Sequence, residues 1–202
     1  MKKIVILLGL LFAMQTALWA QVTEGDVIFN AHLLSTFNLN VDGVDQEITF
    51  ANAADYNNGV IEAVGILPGI TVISVEATED WDLTIECPAF IGYAGPNGAG
   101  TGTIPPENLG VTITEDGAHG TGTGEVIYSA NPLGLTIAAQ ALISKGANSN
   151  AGDISDNAFT LHWQMGTMLG TMTATSMFDQ MANGDFSTGD FTTTATLTLI
   201  PN

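Results

Sequence analysis

The segment from Trp81 to Cys87 constrains the fold of this chain more than any other part of the sequence. One side of the extended segment carries Trp81, Leu83, Ile85 and Cys87, and the other carries Asp82, Thr84 and Glu86. A period of two is typical of a half-buried β-strand, because successive strand side chains point to opposite faces. The four apolar side chains need a second layer to cover them, so the segment predicts a layered β-structure.

The same alternation recurs along the chain, between turns rich in Gly, Asn and Asp. Candidate strands lie at residues 27–33, 37–41, 48–50, 71–77, 109–113, 135–141, 159–165 and 191–199. A hairpin through residues 78–80 is the simplest connection to the Trp81 strand, and residues 177–181 are compatible with one helical turn. Trp163 lies on the apolar side of its strand, so Trp81 and Trp163 are predicted core residues from facing layers.

Many short strands with almost no helical periodicity predict an all-β fold. The specific prediction is an antiparallel immunoglobulin-like (pilin-like) β-sandwich with long Gly/Thr-rich loops at residues 92–106 and 117–124. We find no linker that would divide residues 21–202, which are expected to form a single domain with one core.

The first 20 residues have the layout of a secretory signal peptide. Lys2 and Lys3 precede an apolar run, and Ala20 offers a small residue at the expected cleavage point. The apolar run is short for a bilayer span, which needs roughly 20 residues, so no membrane span is expected after leader removal. The protein is therefore expected to be secreted or displayed on a bacterial cell surface.

Charge and cysteine content exclude several classes of function. Loss of Lys2 and Lys3 with the leader would leave Lys145 against all 21 acidic residues, which lowers the formal charge from −18 to −20. Binding nucleic acid requires clustered Lys and Arg, so nucleic acid is not an expected partner. Cys87 is the only cysteine and lies on an apolar face, which predicts a buried free thiol and no intrachain disulfide.

No strong catalytic motif occurs in the sequence, so the expectation is a protein that is not an enzyme. Asp82 and Glu86 share one face of their strand, but about 13 Å separates them at about 3.3 Å per residue. A catalytic carboxylate pair needs roughly 5–10 Å. His32, His119 and His162 have no metal-ligand spacing, so each is interpreted as an ordinary histidine.

Two oxygen-rich loops are weak candidates for calcium, which prefers six to eight oxygen ligands. The candidate ligands are Asp153 and Asp156 in one loop, and Asn183, Asp185 and Asp190 in the other. Neither loop matches an EF-hand, and the same residue types are common in ordinary turns. No cofactor is expected, and calcium remains an alternative.

Two short motifs resemble those of bacterial surface proteins. Trp81-Asp82-Leu83 inside an alternating strand resembles the tryptophan-x-leucine motif of bacterial WxL surface domains. The ending from Gly189 to Leu199 resembles the last strand of pilin-like and spore-coat-like β-sandwiches. The chain departs from these families at Trp163, which is followed by Gln-Met, and in having no disulfide pair. The resemblance implies an exported structural, adhesive or filament-forming module.

The expected function is a non-enzymatic structural or filament-forming surface subunit that associates with copies of itself or with other surface proteins. The alternative is an adhesin that binds a glycan or protein through loops 92–106 and 117–124, with calcium as a possible aid. Strand exchange between subunits is one route to assembly, and closure of the same segments within one sandwich is the other. The candidate donor residues are Val27, Phe29, Ala31 and Leu33, and the candidate acceptor residues are Phe191, Ala195, Leu197 and Leu199.

Overall fold

The structure is a computed structural model that describes residues 34–43, 45–61 and 69–202. The expected leader and the candidate donor residues Val27, Phe29, Ala31 and Leu33 lie outside the described residues. Within that part the strands are β1 (Phe37–Asp42), β2 (Val60–Ile61), β3 (Ile70–Ala77), β4 (Trp81–Glu86), β5 (Phe90–Gly92), β6 (Thr103–Ile104), β7 (Leu109–Glu115), β8 (Val126–Tyr128), β9 (Leu133–Gly134), β10 (Gln140–Lys145), β11 (Ala158–Met165), β12 (Phe191–Thr192) and β13 (Thr196–Pro201). The helices are α1 (Ala53–Asn58) and α2 (Met177–Asn183), and Pro106–Asn108 forms a 3₁₀ turn.

In the described part of the chain these strands form three sheets. The first sheet has the order β1-β3-β11-β7-β9, with β2 also paired to β11. The second sheet has the order β13-β4-β10-β8, and a small third sheet has the order β12-β5-β6. Every pairing between named strands is antiparallel. The predicted all-β class is confirmed.

The first and second sheets share one buried cluster, which gives the fold a sandwich-like character. On the β4 side, Trp81, Leu83 and Ile85 are fully buried, and Cys87 just beyond the strand is buried with them. Phe159 of β11 meets Trp81 from the first sheet, with ring centroids 6.1 Å apart and planes at 74°. Edge-to-face contact of this kind adds to the stabilisation from burial.

Trp163 also points into this cluster from β11, and 8% of its surface is exposed. Its indole N–H donates to Thr71 Oγ1 at 2.9 Å, which satisfies the polar end of the ring. The neighbouring Gln164 lies on the opposite side of the alternation and is buried as well. Its Oε1 accepts a hydrogen bond from the buried Thr167 hydroxyl at 3.1 Å, so the chain after β11 covers this part of the outer face.

The hairpin predicted between residues 71–77 and the Trp81 strand is wrong. β3 pairs with β1 and β11 in the first sheet, whereas β4 pairs with β10 and β13 in the second. Residues 78–80 therefore cross from one layer to the other. Asn150 takes the place of a strand partner at the start of β4. Its side chain accepts from Trp81 N at 3.0 Å and donates to Trp81 O at 2.8 Å.

Two other predicted strands do not form as expected. The single strand predicted at residues 135–141 is wrong: β9 ends at Gly134 in the first sheet, β10 begins at Gln140 in the second, and residues 135–139 link the two. Residues 191–199 contain β12 of the third sheet and most of β13 of the second. The Thr193 hydroxyl donates to Pro88 O at 2.8 Å in the gap between them. In both cases the link between the two strands lies outside either sheet.

The strand predicted at residues 48–50 is absent from the described structure of that segment. Ile48 and Phe50 are instead partly buried, and Phe50 packs on Tyr56 of α1 with ring centroids 5.1 Å apart. Helix α1 begins with a capping box in which the Asn52 side chain accepts from Asp55 N and the Asp55 carboxylate accepts from Asn52 N. This reciprocal pair satisfies amides that have no partner inside the helix.

Helix α2 occupies the region expected to contain a helical turn. Ser176 caps its N-terminus by accepting from Asp179 N at 3.1 Å, and Gly184 closes its C-terminus with φ 84°. Met177 of α2 joins Met165, Ile104 and Phe186 in a second, smaller buried cluster. No helix in residues 34–43, 45–61 and 69–202 is long and apolar enough to cross a bilayer.

Candidate functional site

The C-terminal strand β13 forms one edge of the second sheet, because its only strand partner in the described residues is β4. Asn202 N donates to Asp80 O at 2.9 Å just past the end of this ladder. Antiparallel pairs alternate between hydrogen-bonded and non-hydrogen-bonded positions. This bond therefore identifies which residues of β13 direct their backbone N–H and C=O groups toward β4. The backbone N–H and C=O groups of Leu197 and Leu199 therefore point away from β4. Pro201 also falls on that outer side, where its missing N–H costs no ladder bond.

Strand β1 forms the matching edge of the first sheet, and within the described residues it pairs with β3 alone. Thr78 N donates to Thr36 O at 3.1 Å at the start of this ladder. The same alternation directs the backbone groups of Phe37, Leu39 and Val41 away from β3. The side chains of Phe37 and Leu39 still pack against the main core, so the strand is anchored while its outer backbone has no strand partner among the described residues.

The two edges lie on the same side of the domain, with Cα atoms of β1 and β13 within 8 Å of one another. The start of β1 and the end of β13 are both tied to the crossover at residues 78–80. The Ser35 hydroxyl donates to the Glu79 carboxylate, and Asn202 bonds to Asp80. The chain therefore enters the first sheet close to where it leaves the second.

The structure separates the four predicted acceptor residues. Leu197 and Leu199 lie in the edge strand β13, and Ala195 precedes it, all three packed against the main core. Phe191 belongs to β12 in the third sheet and packs on Phe186, with ring centroids 6.0 Å apart. The candidate acceptor edge is therefore shorter than the sequence suggested, and it begins at Thr196.

Asp190, predicted as a weak calcium ligand, organises the loop at residues 92–106. Its carboxylate accepts from Asn97 N and from Asn97 Nδ2, both at 2.8 Å. Its backbone accepts from Tyr93 N at 3.0 Å and donates to Gly98 O at 2.8 Å. A side chain at Gly95 would overlap the Asp190 carboxylate, so glycine is required for this close approach. Side-chain and backbone hydrogen bonds together therefore brace this loop.

Glu115 organises the second long loop, at residues 117–124, in a similar way. Its carboxylate accepts from Thr121 N at 2.7 Å, from the Thr121 hydroxyl at 2.8 Å and from the Tyr128 hydroxyl at 3.1 Å. Partial burial acts to raise the pKa of Glu115, but these hydrogen bonds outweigh it and leave the pKa lowered. Burial and the neighbouring Glu115 charge raise the pKa of Tyr128, which keeps it a neutral hydrogen-bond donor.

The other calcium candidates lie in the loop at Asp153 and at the end of α2. Asp153 accepts from Ser155 N at 2.7 Å and from the Ser155 hydroxyl at 2.6 Å, which lowers the pKa of Asp153. Asp156 accepts from Asp153 N at 3.2 Å, and Asn183 and Asp185 are exposed around the end of α2. In the described part of the chain, no three His, Cys, Asp or Glu residues are grouped so that they could hold a metal ion.

Groups with nucleophilic or general-base chemistry are dispersed. Burial raises the pKa of Cys87, and its thiol contacts Pro88 O at 3.4 Å, so the reactive thiolate is disfavoured. His162 bonds Thr114 on the outer face of the first sheet, and His119 bonds Asn157, each at 3.0 Å. The two described histidines therefore occupy different hydrogen-bonded settings.

The described residues thus define an all-β, sandwich-like protein in which the edge strands β1 and β13 lie side by side and two long loops are internally bonded. No protein-family model matches the chain, and no curated protein matches it. The two features of the described structure that bear on function are therefore the neighbouring edge strands and the bonded loops. Asn150 and the partnership of Asp190 with Asn97 were missed in the sequence, because each depends on residues at least 69 positions apart.

Proposed function

We propose that this protein is an exported, non-enzymatic structural subunit of a bacterial surface, with an immunoglobulin-like (pilin-like) fold, that assembles with copies of itself. The observation that carries the proposal is the edge strand β13, whose outer backbone has no strand partner in the described residues. Unpaired strand edges are templates for pairing with another chain. The expected leader, the resemblance to surface sandwiches and the dispersed catalytic groups favour the same function.

β13 has few of the features that usually protect an edge. Thr196–Pro201 contains no charged side chain, and Pro201 interrupts the outer row only at its end. A strand of six residues spans about 20 Å, at about 3.3 Å per residue, which is the ordinary length of a strand in a sheet. β13 is therefore long enough to accept another strand.

Chain direction indicates which molecule would supply that strand. β13 runs toward the crossover at residues 78–80, and the chain also reaches β1 at this crossover. A donor at residues 27–33 added to β13 of its own molecule would run parallel to β13, whereas every named pairing in the described fold is antiparallel. Added to its own β1, the same segment would form an antiparallel hairpin. A second copy of the chain can therefore supply an antiparallel partner strand for β13 more directly than the same molecule can.

The proposal is tested by removing a single outward amide. Leu199→Pro deletes the Leu199 N–H on the free side of β13, and Leu199→Ala makes a comparable loss of side-chain packing while keeping the amide. We expect wild type and Leu199→Ala to form regular assemblies in electron microscopy and sedimentation, and Leu199→Pro to remain monomeric. Equal assembly by both variants, or monomeric wild-type protein, would show that β13 does not mediate association.

A second experiment tests the donor. Deleting residues 21–34 downstream of the leader should abolish assembly, and a synthetic peptide of residues 21–34 should restore stable pairing to the truncated protein. Assembly of the truncated protein at the wild-type level would exclude strand exchange through this segment. A peptide with the same composition in scrambled order provides the control for nonspecific association.

Recognition of a ligand through the loop at residues 92–106 is a second candidate function. Its support is the hydrogen-bonded frame around Asp190, which holds an exposed Tyr93 on a fixed backbone. Loops held by a rigid scaffold commonly carry binding residues. This function is compatible with assembly, because it uses the third sheet and leaves β1 and β13 free.

A further inference from the structure

Tyr93, in the loop at residues 92–106, lies beside Asp190. Tyr93 follows β5 and is 45% exposed, and its backbone N–H is bonded to Asp190 O. A Cβ atom at Gly95 would lie 2.9 Å from Tyr93 Cε2 and would overlap the Asp190 carboxylate. The aromatic ring, the Gly95 backbone and the carboxylate are therefore neighbours, and the absence of a side chain at Gly95 keeps them together.

The polar groups beside the ring retain hydrogen-bonding capacity. Each oxygen of the Asp190 carboxylate accepts one bond from Asn97, and a carboxylate offers about four acceptor positions in total. The Asn97 side chain is exposed, and its amide oxygen can accept a hydrogen bond from a ligand. The site thus presents an exposed aromatic ring, a charged acceptor and an amide on one bonded frame.

We propose that Tyr93, Asp190 and Asn97 bind a neutral sugar. The apolar C–H face of a pyranose packs on an aromatic ring, and its hydroxyls donate to carboxylate and amide oxygens. Ligand sites commonly combine apolar surface with a few placed polar groups of this kind. The ligand class rests on the second function proposed above and is independent of assembly through β13.

The negative charge at the site favours binding of neutral sugars over acidic ones. Asp190 lies at the site, and Lys145 is the one basic residue in residues 34–202, where it pairs with Asp80 at 3.5 Å. An acidic sugar would meet the negative charge of the protein without a cation to bind its carboxylate. A sugar with hydroxyl groups alone, or with a neutral acetamido group, meets no such repulsion.

The site is tested on the full exported chain by saturation-transfer NMR with three probes: methyl α-D-mannopyranoside, methyl β-D-galactopyranoside and N-acetyl-D-glucosamine. A single aromatic face with two polar partners corresponds to the weak end of the affinity scale, so we expect a dissociation constant of about 1–10 mM for at least one probe. N-acetylneuraminic acid is expected to give no transfer. Absence of transfer from all three neutral probes, or preferential binding of the acidic sugar, would overturn the proposal.

Substitutions at Tyr93 and Phe178 test whether the sugar binds at this site. Tyr93→Ala should weaken binding of the positive probe by about tenfold, the factor that corresponds to about 1.4 kcal/mol. Tyr93→Phe keeps the ring and should bind like the wild type. Phe178→Ala is the matched control, because Phe178 is an aromatic of similar exposure, 49%, on α2. Unchanged binding by Tyr93→Ala would overturn the site, while the β13 assembly assay on the same preparations reports separately on the structural function.

Discussion

β4 and β13 are hydrogen-bonded neighbours with the same apolar alternation, yet they occupy very different surroundings. β4 has β13 on one side and β10 on the other, and its apolar side chains are fully buried. β13 has β4 alone among the described strands, and Leu197 and Leu199 are only partly buried. Alternation specifies which side of a strand faces the core, whereas position in the sheet decides how completely it is covered. β4 therefore serves the core, whereas the outer backbone of β13 has no partner among the described strands.

The largest expected effect is a loss of stability when a tryptophan of the buried core is truncated. Trp81→Ala should lower the free energy of unfolding by about 3–5 kcal/mol, because it removes a large side chain that packs on Phe159. Trp163→Ala should fall in the same range. Urea denaturation measures both values, and a loss under about 1 kcal/mol would indicate that the residue contributes little to the core.

Leu83 and Leu199 sharpen the comparison most directly, because they are the same residue type in direct register across β4 and β13. Leu83→Ala should cost about 2–5 kcal/mol, the usual range for a fully buried leucine. Leu199→Ala should cost about 1 kcal/mol, since part of its apolar surface is already in water. Equal losses in urea denaturation would show that the Leu199 side chain is as well covered as that of Leu83, which would contradict its partial burial.

Asn150 tests how the start of β4 is held. Asn150→Ala would leave the buried Trp81 N–H and C=O without their side-chain partner, and should cost about 1–3 kcal/mol in urea denaturation. Asn148→Ala in the same loop is the control, because Asn148 is exposed and its side chain makes one hydrogen bond, to Thr123 O, so its loss should cost no more than about 1 kcal/mol. Similar small losses in both variants would mean that the Trp81 backbone finds other partners.

A smaller, pH-dependent effect is expected where β4 and β13 meet the crossover. The Ser149 hydroxyl, 2.5 Å from the Asp80 carboxylate, and then Lys145 lower the pKa of Asp80. A depressed folded pKa contributes stability above the unfolded value of about 3.9, and the contribution is lost as pH falls through the lower folded pKa. The stability difference between wild type and Ser149→Ala should therefore shrink between about pH 5 and pH 2. Ser149→Thr should keep the pH dependence, and a constant Ser149→Ala difference would contradict it.

Calcium should have the smallest effect on either strand. The candidate carboxylates of Asp153 and Asp190 already accept hydrogen bonds from their own loops, and a cation would have to compete with those donors. We expect the thermal midpoint to be the same with calcium and with chelator. A strong rise with calcium that chelator reverses would show binding to the native state.

The local features of the fold could be predicted from the sequence. The alternation at Trp81, Leu83 and Ile85 identified the buried side of β4, and the same reasoning placed Trp163 toward the core. A helical turn near Met177 was predicted as well. Helix α1 was not predicted, although Asn52 and Asp55 have the spacing of a capping box. These features depend on residues within a few positions of one another, so a short segment contains the information that specifies them.

Only the tertiary structure decided which strands are partners. The links at residues 78–80, 135–139 and 193–195 each join strands of different sheets, although the alternation on either side would suit one sheet equally well. Alternation has the same period whether a strand continues in its sheet or crosses to another, because in either case successive side chains point to opposite faces. Pairing is settled by contacts between distant residues, such as Asn150 with Trp81 and Asn97 with Asp190. For the same reason, the edge position of β13 among the described strands could be located only after those strands had been placed.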